Sequence, residues 1–279
     1  MIVQHNMTAL NANRQLGITN RNIAKSTEKL SSGYRINRAA DDAAGLSISE
    51  KMRGQIRGLK QASANAQDGQ SLIQTAEGAL NEIHAVLQRM RELTVQASND
   101  TNVTADRRAI AKEVRALTSE INRIATQTEF NTTKLLSGKF SKKILQVGAN
   151  TNQCITFSIS KMTAGKLGVS VGAIAKKISA KNLTNGTTIT ALITIVNRAI
   201  SKVSTQRSAL GALQNRLDHT ITNADNMAEN LQSSESKIRD VNMADEMVAY
   251  SAKSILQQAG QSMLAQANRS TQGVLSLLG

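Results

Sequence analysis

The sequence predicts a mainly α protein: an elongated antiparallel coiled-coil or helical bundle, with a small β-hairpin region and terminal helices that order on assembly. The 279 residues include no proline, which costs about 3 kcal/mol in a helix interior, so helices are free to run long. Apolar residues recur at alternating spacings of three and four over three stretches, as in the seam of a coiled coil. Trp is absent, with only two Tyr and three Phe, so large aromatic anchors do not organise the core.

Residues 1–42 read as an N-terminal segment and linker, its apolar positions Met7, Leu10, Leu16, Ile23 and Leu30 scattered among Asn, Gln, Thr and Lys. Residues 43–130 hold two helices. The first is predicted from near Ala43 to about Ser98, with the seam Leu59, Ala62, Ala66, Gly69, Ile73, Ala76, Leu80, Ile83, Leu87, Met90, Thr94 and Ala97. Asn99-Asp100-Thr101-Asn102 breaks it, and Thr104 is the expected N-cap of a second helix carrying Ile110, Val114, Leu117, Ile121, Ile124 and Thr128.

Residues 131–187 read as a strand-rich basic segment. Ile144 to Val147, Ile155-Thr-Phe157-Ser-Ile159 and Val169-Ser-Val171 are β-prone, and Asn185-Gly186 is a turn signal. Residues 188–242 carry the longest seam, from Leu192 through Val196, Ala199, Val203, Leu210, Leu213, Leu217, Ala224, Met227, Leu231 and Ile238 to Val241. Its polar members Gln206, Thr220 and Ser234 are expected to set register. Residues 243–279 form a last helix with Met247, Val248, Ile255, Met263, Leu264, Val274, Leu275, Leu277 and Leu278. An isolated helix of this kind is marginal in water, so the two ends are expected to pack on each other or on other copies. A rigid middle with adhesive helical tails suits a polymerising subunit.

The net charge of +14 is local. From Phe130 to Leu217 there is no Asp or Glu but thirteen Lys and Arg, while the rest of the chain is nearly balanced. A nucleic-acid surface would interleave such cations with stacking aromatics, and apart from Phe130 at its edge only Phe140 and Phe157 fall in the segment. No nucleic acid is therefore expected as a partner. No apolar run approaches the 18 or so residues of a membrane span, so no membrane partner is expected either. The N-terminus, Met1-Ile-Val-Gln-His-Asn-Met7, has neither the basic nor the apolar region of a cleaved signal.

Catalytic chemistry is not expected, nor any metal or cofactor. His5, His84 and His219 are dispersed, and the single Cys154 has no partner for a disulfide. Asp41-Asp42 reads as charge at a helix N-terminus, and Gly54-Gln-Ile-Arg-Gly58 as a site of close backbone approach.

Leu30-Ser-Ser-Gly-Tyr-Arg-Ile-Asn-Arg-Ala-Ala-Asp-Asp-Ala-Ala-Gly-Leu-Ser-Ile-Ser49 resembles the N-terminal signature of bacterial flagellins. Asn6 to Asn13 and Gln70 to Leu80 are similar to the same family, as are Gln206 to Leu217, Ser236 to Met247, Met263 to Asn268 and Gln272 to Leu275. The resemblance implies a short flagellin with core and shell domains only, polymerising with itself into the extracellular filament used for motility. It makes Met7, Leu10, Leu16, Ile23, Met247, Ile255, Met263, Leu264, Val274, Leu275, Leu277 and Leu278 the expected filament-core residues. It further implies type III export without a cleaved signal, an export chaperone on the C-terminal helix, a filament cap protein and a hook–filament junction protein as partners.

Leu87-Gln-Arg-Met-Arg-Glu-Leu-Thr-Val-Gln96 resembles the segment that Toll-like receptor 5 recognises, which points to Gln88, Arg89, Leu93 and, on the next helix, Glu113. The chain departs from the family at Thr132-Thr133, where a Gly is common, at Thr271, where Pro is frequent, and in its basic middle. A hook–filament junction protein is the alternative reading.

Overall fold

The computed structural model describes residues 6–172, 174–178 and 186–275. Four long helices are α1 (Met7–Ser32), α2 (Ala43–Ala97), α6 (Gly186–Arg239) and α7 (Met243–Leu275). Between α2 and α6 lie α3 (Thr104–Gln127), the strands β1 (Glu129–Phe130), β2 (Thr133–Lys134), β3 (Lys143–Gln146) and β4 (Cys154–Phe157), and the short helices α4 (Ala164–Leu167) and α5 (Ala175–Ile178). The chain divides into two compact units, Arg57–Ala228, and Met1–Ile56 with Glu229–Gly279. Each is described in turn.

In the unit Arg57–Ala228 the α2 seam is buried from Leu59 to Ala97. It joins Ile110, Val114 and Ile121 of α3 and Leu192, Val196, Val203, Leu210 and Leu217 of α6 in one core. Each Leu or Ile so placed contributes about 1.5–3 kcal/mol, which is why these helices hold without aromatic anchors. The helices run antiparallel: Gln70 Nε2 donates to Asp218 Oδ1 at 3.0 Å and Arg207 pairs with Glu77 at 3.6 Å.

The expected polar register residues do not act across that seam. Thr220 and Ser234 donate to their own helix, at Arg216 O and Asn230 O, while Gln206 Oε1 accepts from Ser160 N at 3.4 Å. Met227 is exposed and Ala228 is buried in its place. The interval from Ala224 is four residues rather than three, the drift expected when a 3.6-residue helix leaves a 3.5-residue repeat.

The strand-rich expectation holds for one stretch and fails for another. β3 and β4 pair antiparallel, Leu145 opposite Ile155 and Ile144 opposite Thr156. Leu145 and Ile155 turn inward while Ile144 is left exposed. The hairpin lies against α2 because two glycines leave room. A Cβ on Gly69 would come within 2.4 Å of Leu145 Cδ2, and one on Gly58 within 2.8 Å of Ala149 Cβ. Gly58 thus makes the close approach expected of it, whereas Gly54 faces nothing within 4 Å. Val169-Ser-Val171 is not a strand. Gly168, at φ +88°, ends α4, and Val169 N bonds back to Ala164 O at 2.9 Å. Asn185 lies outside the described residues, and α6 begins at Gly186. Thr104 is the first residue of α3 rather than its cap, and Asp106 Oδ2 accepts from Val103 N at 3.2 Å.

β1 and β2 join through Asn131 and Thr132, at φ 45° and 62°, the pattern of a type I′ turn. A β-branched residue in the left-handed region costs about 1–2 kcal/mol, partly offset by the freedom glycine adds to the unfolded chain. Thr132→Gly is expected to raise stability by about 0.5–1 kcal/mol. Urea unfolding measures this, and an unchanged or lower midpoint would contradict it.

In the second unit, Asn6 Oδ1 caps α1 by accepting from Ala9 N at 3.0 Å, and Gly33, at φ 75°, closes it. The linker that follows is tied to the end of α6. Arg35 N donates to Arg239 O at 2.7 Å, Val241 N to Gly33 O at 3.0 Å, and the Arg239 guanidinium lies 4.7 Å from the Tyr34 ring centre. Asp42 Oδ1 accepts from Gly45 N at 2.8 Å, capping α2, with Ile36 buried beside it.

Candidate assembly and recognition surfaces

α1 and α7 pack on each other antiparallel. Asn6 Nδ2 donates to Ala267 O at 2.9 Å, Gln257 Nε2 to Asn20 Oδ1 at 2.9 Å, and Lys253 Nζ to Ser26 Oγ at 2.7 Å. Leu16 Cδ1 stands 3.4 Å from where a Gly260 Cβ would be. The touching stripes are poor in large apolar groups: Ala9, Ala12, Leu16, Thr19, Ile23 and Ser26 on α1, and Ala249, Lys253, Gln257, Gly260, Leu264 and Ala267 on α7.

The expected filament-core residues therefore fall into two sets. Leu16, Ile23 and Leu264 are half-buried on the inner stripes. Met7, Leu10, Met247, Ile255 and Met263 stand in water, Met7 at 68%, Ile255 at 66% and Met263 at 65% exposure. Val248 and Leu256 are exposed with them. Val248, Ala252, Ile255, Ala259 and Met263 follow at spacings of four, three, four and four, an apolar stripe on the side of α7 away from α1. That spacing is present in the sequence, but the inner stripe of the same helix overlays it. Leu277 and Leu278 lie outside the described residues, as do the side chains of Val274 and Leu275.

The linker holds charge pairs that sequence alone did not place. Lys25 Nζ meets Asp41 Oδ1 at 3.0 Å, and Asn37 N and Arg38 N donate to Asp41 Oδ2 at 3.3 and 3.1 Å. Arg239 and Arg53 both reach Glu50 Oε1, at 3.0 and 3.1 Å. The hydrogen bond from Lys25, seconded by that of Arg38 N, holds the Asp41 carboxyl below its ordinary range; the bond from Arg239 does the same for Glu50. Because the folded-state values are lowered, this stability is present above about pH 4 and is lost as pH falls through the folded values. The terminal unit is therefore expected to melt earlier in acid, and Asp41→Asn with Glu50→Gln to flatten that dependence. Helix melting by circular dichroism from about pH 6 to 2.5 reads both. An unchanged slope in the double variant would contradict the assignment.

On the α2–α3 surface, Arg89 Nε and one terminal nitrogen reach Glu113 Oε1 at 3.1 and 3.0 Å, and its other nitrogen reaches Glu92 Oε2 at 3.0 Å. All three side chains are exposed. These carboxylates, Glu92 first, push the Arg89 guanidinium further above its ordinary range. Gln88 is half-buried, its amide 3.4 Å from His84 Nε2. Leu93 departs from its expected place. It is 2% exposed and belongs to the core beneath, next to Thr94 of the α2 seam, which it widens by one position.

The basic segment is partly compensated from outside: Lys134 pairs with Glu129 and Arg207 with Glu77. Its two phenylalanines face each other with ring centres 5.5 Å apart, and Phe140 is buried. Among the described residues no three His, Cys, Asp or Glu gather into a metal-binding group, and no helix is long and apolar enough to cross a membrane.

The model of the bacterial flagellin N-terminal helical region matches residues 3–141, and that of the C-terminal helical region matches residues 193–278. The chain belongs to the bacterial flagellin family. Over 278 residues it is 54% identical to a flagellin of Halalkalibacterium halodurans, covering the whole of both chains. It is 49% identical to a flagellar filament 33 kDa core protein of Treponema phagedenis, again over the whole of both. Among solved structures, a putative flagellar hook-associated protein from Vibrio parahaemolyticus aligns with a TM-score of 0.61 at 13% identity, over 72% of this chain and all of the other. That likeness shows the fold alone. This flagellin is a structural protein of the flagellar filament, not an enzyme.

Proposed function

We propose that copies of this flagellin assemble by burying the outer stripe of α7, with Met7 and Leu10 of α1, against neighbouring copies. The observation that carries it is the doubled face of α7, one side fastened to α1 and the other presenting Val248, Ile255, Leu256 and Met263 to water. A contiguous apolar surface of this kind marks an interaction site, and repetition around a helix axis makes an open polymer of it. Seeded elongation followed by light scattering and negative-stain microscopy tests the reading. Long filaments are expected, and protein that stays monomeric with seeds present would overturn it.

The same reading takes in the partners of export and growth. A dedicated chaperone would cover the outer stripe of α7 before export through the type III channel, which needs no cleaved signal. A cap protein would place each arriving subunit, and a hook–filament junction protein would stand at the base. The alternative, that this chain is itself the junction protein, rests on shared fold and lacks the full-length identity that ties it to flagellins.

Recognition by Toll-like receptor 5 belongs here too, centred on Arg89 with Gln88 and Glu113 beside it. What supports it is an exposed guanidinium held in place by two carboxylates, a side chain already positioned for contact. Arg89→Ala is expected to raise the subunit concentration for half-maximal receptor signalling by about tenfold or more, the scale of a lost arginine hot spot. A receptor-reporter cell assay measures it, and an unchanged dose response would contradict it.

A further inference from the structure

In the unit Arg57–Ala228, a groove of about 410 Å³ opens between α6 and the segment running from β4 through α4. Lys161 and Lys166 stand on one wall with Ser160, and Arg198 and Lys202 on the other with Ser201, Thr205 and Gln206. No carboxylate lines it. None of the four cations is ion-paired among the described residues, whereas Arg207, also on α6, finds Glu77.

The arrangement follows from the sequence. Arg198 and Lys202 are one helical turn apart on α6, as are Ser201 and Thr205, so cations and hydroxyls share a face. Lys202 Nζ donates to Lys166 O at 3.3 Å and Gln206 Oε1 accepts from Ser160 N at 3.4 Å, which holds the opposite wall at a fixed distance. Like charges one turn apart oppose each other. An anion in the groove removes that opposition.

We propose that this groove binds a sulfated polysaccharide, taking two or more sulfate groups on its four cations. The volume lies in the range of small-ligand sites. Three of the four cations are lysines, whose compact ammonium groups act as point charges and can hold sulfate oxygens without a fixed fork. The hydroxyls and the Gln206 amide that line the groove with the cations can bond the sugar hydroxyls of a sulfated chain. No aromatic ring lines the groove to stack a nucleic-acid base. This inference is independent of the assembly reading, since it concerns the single subunit.

The test uses the monomeric full chain and a fluorescein-labelled heparin octasaccharide, with anisotropy read at about 0.05 and 0.15 M NaCl. Lys161→Gln with Lys202→Gln is expected to raise Kd at least about tenfold and to lower the salt slope by about two, one per lost cation. Lys139→Gln with Lys142→Gln removes the same charge from elsewhere in the acid-free stretch and is expected to change Kd less than about twofold. All four side chains are exposed, so both variants are expected to fold, which circular dichroism melts check. Equal weakening by the two pairs would mean diffuse attraction and overturn the site, as would no measurable binding by the unsubstituted chain. Inorganic polyphosphate of matched charge, bound as tightly as the octasaccharide, would overturn the sugar assignment.

Discussion

Val248→Asp combined with Ile255→Asp is expected to abolish filament growth while leaving the subunit folded. Both side chains stand in water on the outer stripe of α7, at 71% and 66% exposure. The monomer therefore loses almost nothing when they become carboxylates. In the proposed polymer each would be buried, and each is worth about 1.5–3 kcal/mol there. Losing two removes about 3–6 kcal/mol, which raises the concentration needed for growth by about a hundredfold to ten-thousandfold, before the cost of burying charge is counted. Sedimentation after seeding at a fixed subunit concentration measures it. Filaments at ordinary yield from the double variant would remove the outer stripe from the account. Substitution is a cleaner test than deleting Met243 to Gly279, because deletion also strips α1 of the helix it packs on.

Leu93→Ala is expected to act on stability, with a loss of about 2–5 kcal/mol. From its place in the motif, Leu93 reads as an apolar contact beside Arg89. In the structure it is sealed in the core beneath the Arg89–Glu113 pair. Removing it leaves a cavity in the core that α2 shares with α3 and α6, and a seam with no aromatic side chains has few large groups to collapse into it. Urea unfolding of the purified variant gives the loss. At concentrations where Leu93→Ala is still folded, its receptor signalling is expected to match the unsubstituted chain, in contrast to Arg89→Ala. A stability change below about 1 kcal/mol would contradict the burial.

The difference between these residues shows how far the sequence could be read. The α2 seam was legible because one heptad register persists from Leu59 to Ala97 and a single partner surface enforces it. On α6 the register broke at Met227, since a helix of 3.6 residues per turn drifts from a 3.5 repeat and no local signal marks where. β4 announced itself by alternation and β3 as a short β-prone run; Val169 and Val171 alternate too, but Gly168 turns the chain before a strand can form. Patterning says which positions are apolar, not which of two faces buries them. For that reason Leu16 and Ile255 looked alike in sequence and ended on opposite sides of the terminal pair. The clamp of Tyr34, Glu50 and Arg239 joins residues about two hundred positions apart, and only the folded chain brings them together. The sequence shows the excess of cations but not the groove, because the walls come from α6 and the segment leading through α4.

Hydrogen exchange across α7, compared between monomer and seeded filament, tests the assembly reading most directly. In the monomer the amides from Val248 to Met263 are expected to exchange fast, since the pairing with α1 buries small and polar side chains. In the filament they are expected to slow by at least about a hundredfold, as the outer stripe is covered. Filaments in which α7 exchanges as fast as in the monomer, with protection gained only in the unit Arg57–Ala228, would contradict assembly through the terminal helices.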